Sequence, residues 1–375
     1  MKVETAIWTR RHGWAAGMPV PDERDSIALV FGHPQMVGHP QRPLQKFLEV
    51  WQDKAVLGCS TAGHFVGDEL LDADSLVTCI ARFDRTSVRS ASVNLAAAGG
   101  SRAAGRELGI KLARMRLQSV FVLGSGAEIV PSAVVAGINE VLPGVLISGA
   151  LAASRVRSVP AWVITEVGPA DGQLTGFGLL GDDLSVGFGS ANGWDGFGPE
   201  RMVTRAEGNV LYELDGRSAL AVYREYLGEL AAELPDSALL FPLAVRDDEG
   251  DVAVRTAWQI DERGQGLRCS EPFVEGTKVQ LTRASQDRLV ESAHVAGLKA
   301  ATTHESLCIA TACVGRRFAL GMHTEEELVA LQSALANSAT LVGFYGYGEF
   351  TTFGANMRLL NQSMTVTTVG EVLAA

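Results

Sequence analysis

The sequence predicts an α/β protein made of repeated strand–helix–strand units with added antiparallel strands, arranged as mixed sheets in a layered α/β architecture. Two observations carry that expectation. The first is a recurring order: a short apolar run, a helical pattern, then a second apolar run that breaks into glycine and small residues. It ends at Gly58-Cys59-Ser60-Thr61-Ala62-Gly63, again at Ser148-Gly149-Ala150, and again at Gly343-Phe344-Tyr345-Gly346-Tyr347-Gly348-Glu349. The second is the short connections inside each unit, which imply parallel pairing across the helix, whereas the hairpin patterns that follow add antiparallel neighbours.

The elements follow in order. Residues 26–31 read as a buried strand, 43–51 as a helix, and 55–63 as a strand with a glycine-rich end. Strand patterns come next at 76–83 and 87–95. The small-residue break Ala98-Gly99-Gly100 leads into an amphipathic helix over 102–116. The order then returns, with strand at 119–124, helix at 131–142 and strand at 145–150. A strand at 162–166 and a hairpin over 172–189, turning at Gly181-Asp182-Asp183, complete this unit. Polar residues 200–208 read as a junction. A helix over 216–230 places Leu220, Tyr223, Leu227 and Leu230 on one face, and strands are expected at 238–245, 252–260, 266–269 and 277–282. A helix over 286–300 connects to the last unit, with strand at 306–312, helix at 324–337, and strands at 340–347 and 364–369. Thr324 and Glu327 have the spacing of a capping box. The expected division is a domain over 1–205 and a second over 206–375, with the boundary near residues 205–209.

Composition narrows the function. The chain has 375 residues, 47% hydrophobic and 20% charged, and describes a globular protein with a sizeable core. Its net charge is −11, and Lys and Arg are scattered, which argues against nucleic acid or an anionic membrane as partner. No apolar run reaches the roughly 18 residues of a membrane span. The first eleven residues lack a signal-peptide pattern. Five cysteines lie in strand-like apolar settings without Cys-x-x-Cys spacing, so neither disulfides nor a metal is expected, and the compartment reads as cytoplasm. The run Asp247-Asp248-Glu249-Gly250-Asp251 lacks the spacing of a calcium loop and reads as a solvated hairpin turn.

Four segments of the second half carry a resemblance: Asn209-Val210-Leu211-Tyr212-Glu213-Leu214-Asp215-Gly216-Arg217, Glu275-Gly276-Thr277-Lys278-Val279-Gln280-Leu281, Cys313-Val314-Gly315-Arg316-Arg317, and Gly343 to Phe350. With Gly58 to Gly63 in the first half, the chain resembles the FIST family through both its N-terminal and C-terminal domains. The resemblance implies a sensory module that binds a small ligand, proposed to include amino acids, and that brings no established reaction. Some members bind haem and sense nitric oxide. Two departures stand out: His64 takes the place of a usual acidic residue, and Leu360-Asn361-Gln362 stands where a His-Asn pair is usual.

The expected ligand site is lined by Gly58, Cys59, Ser60, Thr61 and Gly63 at the first strand end, by Cys313 and Arg316, and by Tyr345, Gly346, Tyr347 and Glu349. Two phenols and a carboxylate on one strand face suit a cationic or amino group, with Arg316 the expected partner of Glu349 if that face is interior. An even alternative is a structural Glu349–Arg316 pair beside packed tyrosines. Cys59 reads chiefly as a small residue that lets another backbone approach; the alternative is a thiol nucleophile served by His64 in a hydrolase. No cofactor is expected; the alternative is haem b held by His64 or His304. His33 and His39 read as solvated. The function expected is cytoplasmic small-ligand sensing without catalysis, passed to a separate signalling protein.

Overall fold

The structure is a computed structural model that describes residues 1–71, 73–154, 159–246, 252–335 and 339–372; the acidic run 247–251 lies outside them. The three expected units are present. In the first, Ser26–Gly32 pairs in parallel with Ala55–Ser60 across the helix Pro43–Val50, and Ser75–Arg82 runs antiparallel on the other side. The second repeats this with Leu117–Gly124, Leu146–Leu151, helix Pro131–Asn139 and Gln173–Leu180. The third does so with Ser306–Cys313, Ala339–Gly346, helix Thr324–Ala334 and Met364–Glu371. Central strands such as Ser26–Gly32 are buried along their whole length, which is why they read as continuous apolar runs and not as alternation.

The units exchange strands in a ring. The short strand after each parallel pair joins a different unit. His64–Val66 of the first unit pairs with Ala339–Gly346 of the third, Glu349–Phe353 of the third with Leu146–Leu151 of the second, and Val163–Thr165 of the second with Ala55–Ser60 of the first. Strands on the far edges travel the other way. Ser87–Asn94 borders the second unit, Leu184–Ala191 the third, and Lys2–Thr9 closes the first.

Three sheets therefore turn their inner faces to one shared core. Ile27, Leu29 and Phe31 meet Phe121, Leu123 and Phe177 of the second unit and Leu307, Ile309 and Phe344 of the third. Helices cover the outer faces. Leu44 and Phe47 pack on the first sheet, Leu108, Val134 and Ile138 on the second, and Ala293, Leu328 and Leu331 on the third.

Residues 194–284, between Leu184–Ala191 and the helix Gln286–Ala300, form a separate eight-stranded antiparallel sheet closed over the helix Ala219–Leu227. Leu211, Leu220, Tyr223, Leu243 and Leu281 build its own core. Here the structure departs from the expected reading. Residues 200–207 are the second half of the long strand Trp194–Glu207; they read as a junction because one face is solvated and register shifts interrupt the pattern. Residues 205–209 turn into the hairpin strand Val210–Leu214, and strands from both sides of this point share sheets. The strand expected from 238 begins at Leu243, because Asp236–Leu240 winds into a 3-10 turn. The capping box does not form either. Thr324 donates its hydroxyl back to the Gly321 carbonyl, and Glu327 turns inward, away from the helix start.

Candidate functional site

The three glycine-rich strand ends converge and bond to one another through their main chains. Ala62 N donates to Tyr345 O at 2.9 Å and Tyr345 N to Gly63 O at 2.8 Å. Ala153 N reaches Ser60 O at 3.0 Å, and Leu151 exchanges bonds with Tyr347 N at 3.1 Å and Gly348 O at 2.9 Å. Small residues are needed for this approach. A Cβ on Gly149, whose φ is +143°, would stand 1.8 Å from Val122 O. Gly58 and Gly346 serve the same purpose, against Val30 O and Leu151 O.

A pocket of about 340 Å³ opens beside this junction, walled by His33, Thr61, Gly63, His64, Leu71 and Arg317. Arg317 comes from the short helix Val314–Leu320 of the third unit. Its guanidinium donates to Ala62 O and lies 5.8 Å from the centroid of the Tyr345 ring. Gly63, at φ +150°, leaves the room for it, since a Cβ there would sit 1.9 Å from Arg317 Nη1. His64 is fully buried, with ring nitrogens 3.1 Å from Thr61 Oγ1 and 2.8 Å from Ser75 Oγ. Burial, reinforced by the Arg317 charge, drives its pKa down to about 3, so the imidazole is neutral. A fixed guanidinium beside neutral hydrogen-bonding groups can receive an anion.

Of the residues expected to line a site, Thr61 and Gly63 line this pocket. Ser60 is held inside the junction, its Oγ accepting from Trp162 N at 3.0 Å. Cys59 faces the shared core, and burial pushes its thiol well up, so no thiolate is presented beside His64. All five cysteines are free and buried. A native-state thiol titration near neutral pH should therefore find almost no reactive sulfhydryl, with all five appearing on denaturation. Prompt labelling of Cys59 in the folded protein would contradict this placement.

The expected Tyr345-Tyr347-Glu349 face is not formed. The strand ends at Gly346, and Gly348, at φ +157°, turns the chain into the second unit's sheet. Tyr345 consequently points outward beneath the helix Thr324–Ala334 and donates to Glu327 Oε1 at 2.9 Å. Tyr347 is half exposed and bonds the Ser154 carbonyl. Glu349 points inward, fully buried, taking Ser363 Oγ at 2.7 Å. Burial raises its pKa to about 8. Cys313 lies close enough for its thiol to feel that carboxyl, and burial pushes it up to about 12.

Arg316 pairs with Glu327 and not with Glu349. Its Nε meets Glu327 Oε2 at 2.8 Å, and both side chains are fully buried. The rest of the guanidinium donates to Asn192 O at 2.5 Å, Leu289 O at 2.8 Å and Ser292 Oγ at 3.1 Å. Asn192 precedes the 194–284 insertion and Leu289 follows it, so this one side chain ties both of its ends to the third unit. Glu327, expected only as part of a helix cap, is the partner that the sequence did not assign to Arg316. Its signal was a carboxylate on the buried face of the helix, at a position equally suited to a cap.

The histidines also differ from expectation. His39 is buried edge-on against Trp8, with ring centroids 5.0 Å apart, and its Nδ1 accepts from Gln41 N, while His33 walls the pocket. His304 precedes Ser306–Cys313 and packs against Gly370, at the end of the sheet opposite Cys313. A haem would need a histidine nitrogen turned to an open face. His64 has both nitrogens engaged by hydroxyls inside the protein, and His304 is not among the residues that wall this pocket, so neither of these two expected histidines offers a haem ligand there.

Among the described residues, no helix is long and apolar enough to cross a membrane, and no cluster of three or more His, Cys, Asp or Glu side chains has metal-binding geometry. A family model described as the FIST N domain matches residues 26–217, and one described as the FIST C domain matches residues 219–352. No curated protein matches the chain.

Proposed function

Because the chain belongs to the FIST family, whose domains are small-ligand sensory domains of signal transduction, we propose that it senses a small carboxylate-bearing metabolite, such as an amino acid, in the Arg317 pocket. The observation that carries this reading is the reach of Arg317 from the third unit across Gly63 of the first. A carboxylate entering the pocket takes charge-assisted hydrogen bonds from the same guanidinium that holds Ala62 O. Binding thus bears directly on the contact between two units, and a ligand that prefers one arrangement shifts the population toward it. The neutral His64 and the Thr61 hydroxyl supply orientation without adding a competing charge.

The protein acts in this reading without catalysis, in a reducing cytoplasm suited to its free thiols, and hands the signal to a separate protein.

Calorimetric titration with amino acids and small carboxylates tests it. Arg317→Gln should weaken a binding carboxylate about tenfold or more, the loss of a charged hydrogen bond. Gly63→Ala should do likewise with the charge retained, because the new methyl displaces the guanidinium. Unchanged affinity in both variants, or no carboxylate bound by the native protein, would remove the basis for the reading.

A further inference from the structure

The inward face that carries Glu349 holds more polar atoms than the protein satisfies. Phe350 packs outward into the second unit's helical layer, so Glu349 and Thr351, on either side of it, point to the interior. The neighbouring strand pairs Gly149 with Phe350 and Ala150 with Glu349, which brings Ser148 opposite Thr351 on the same face. Across the interior, Thr311 and Thr365 are cross-strand partners in the third unit's sheet, on the face that carries Ile309 into the core. Asn361 lies beside Gly348, where the chain enters this strand.

Ser148 Oγ, Thr311 Oγ1, Glu349 Oε1, Thr351 Oγ1, Asn361 Nδ2 and Thr365 Oγ1 are all buried without a hydrogen-bond partner in the protein. None of these residues is more than 5% exposed. Buried polar atoms are satisfied as a rule, so a group of them in one place points to something held among them.

Their chemistry says what. Five of the six are oxygens, one belongs to a carboxyl, and no histidine stands with them; Asn361 Nδ2 is an N–H donor and ligates no cation. Oxygen sets of this kind suit hard cations, and a single carboxylate matches a single positive charge. Two titratable or charged side chains act on Glu349 electrostatically. The Cys313 thiol stays protonated, and Arg316 is committed to Glu327. Among the described residues, Glu349 has no ion-pair partner.

We infer that this interior is a binding site for a small monovalent cation, an alkali ion or an ammonium group, ligated by Glu349 and the surrounding hydroxyls. The site has an evident route outward. Ser363, which holds the other Glu349 oxygen, follows Gln362, whose amide donates to Leu239 O in the 3-10 turn of the insertion and to Thr256 Oγ1 between two of its strands, both at 3.1 Å. A cation drawing Glu349 into a fixed geometry therefore orders the contact between the three-unit body and the insertion. This rests on the interior residues alone and is independent of the Arg317 pocket.

The test is thermal unfolding of the full chain in sodium, potassium, ammonium or methylammonium chloride, each compared with choline chloride at equal ionic strength. At pH 8.5 or so, one or more small cations should raise the midpoint with saturation. The apparent affinity should fall about tenfold per pH unit on acidification, as protons compete for the same carboxylate. Response to the inorganic ions alone identifies an alkali site, and response to the ammonium salts identifies an amine site. Glu349→Gln should abolish the effect, and Thr311→Val, which removes one oxygen at constant shape, should weaken it about tenfold. Midpoints that match choline for every cation, or equal responses in the native protein and in whichever variants fold, mean that the interior holds only water and overturn the inference.

Discussion

Replacing Glu327 with alanine should destabilise the protein by about 3–5 kcal/mol, the cost of leaving a buried guanidinium without its counter-charge. Arg316 and Glu327 are fully buried, and the glutamate also accepts from Tyr345, so the substitution strands a cation and a phenol together. The consequence is also spatial. Arg316 holds Asn192 O and Leu289 O, and an unpaired guanidinium drawn toward water releases both ends of the insertion. Denaturant unfolding gives the size, and limited proteolysis around residues 192 and 289 gives the location. Glu327→Leu combined with Arg316→Met removes the stranded charge and should lose less than Glu327→Ala alone. A Glu327→Ala loss below about 1 kcal/mol, the scale of an exposed pair, would show that the pair is not buried as described.

In buffers without small cations, stability should fall as pH rises through the range between the ordinary carboxyl value of 4.5 and about 8, and Glu349→Gln should flatten that slope. Burial raises the Glu349 pKa in the folded state, so within this window the folded protein binds more protons than the unfolded chain. Stability therefore declines with rising pH by linkage, in total by about 5 kcal/mol. His64 works in the opposite sense at lower pH. Its folded pKa is depressed to about 3 from 6.5, so the unfolded chain binds the extra proton and stability declines as pH falls through that window. The native profile should be a dome whose alkaline limb depends chiefly on residue 349, with a smaller share from Glu271, whose carboxyl burial raises to about 7. An alkaline limb identical in Glu349→Gln would refute the assignment to this carboxyl.

Most of the architecture was legible because its periodicities are strong. Apolar runs such as residues 26–31 and 119–124, followed by helical patterns and glycine-rich ends, state a repeated parallel unit almost directly. The exchange of strands between units was not legible, because His64–Val66 and Glu349–Phe353 look like simple continuations of the strands before them. Which sheet receives them depends on backbone turns at Gly63 and Gly348 that carry no pattern of their own. For the same reason Tyr345 and Glu349, two strand repeats apart, were read onto one face but end on opposite sides of different sheets. Of the residues expected to line a ligand site, Gly63 and Thr61 wall the pocket, whereas Arg317, which also walls it, was passed over for Arg316. Adjacent arginines on a short helix point in different directions, and only packing decides which is locked in and which reaches the pocket.

The ring of exchanged strands also constrains how the chain comes into being. A ribosome delivers the first unit long before the third, yet His64–Val66 has no sheet to join until Ala339–Gly346 has been made. The edge of Leu146–Leu151 waits likewise for Glu349–Phe353. Early units must therefore persist with open, adhesive sheet edges while roughly two hundred or more further residues emerge, the condition under which nascent chains call on chaperones. Once the last strand docks, all three units close together, and none can be lost by truncation without unseating another.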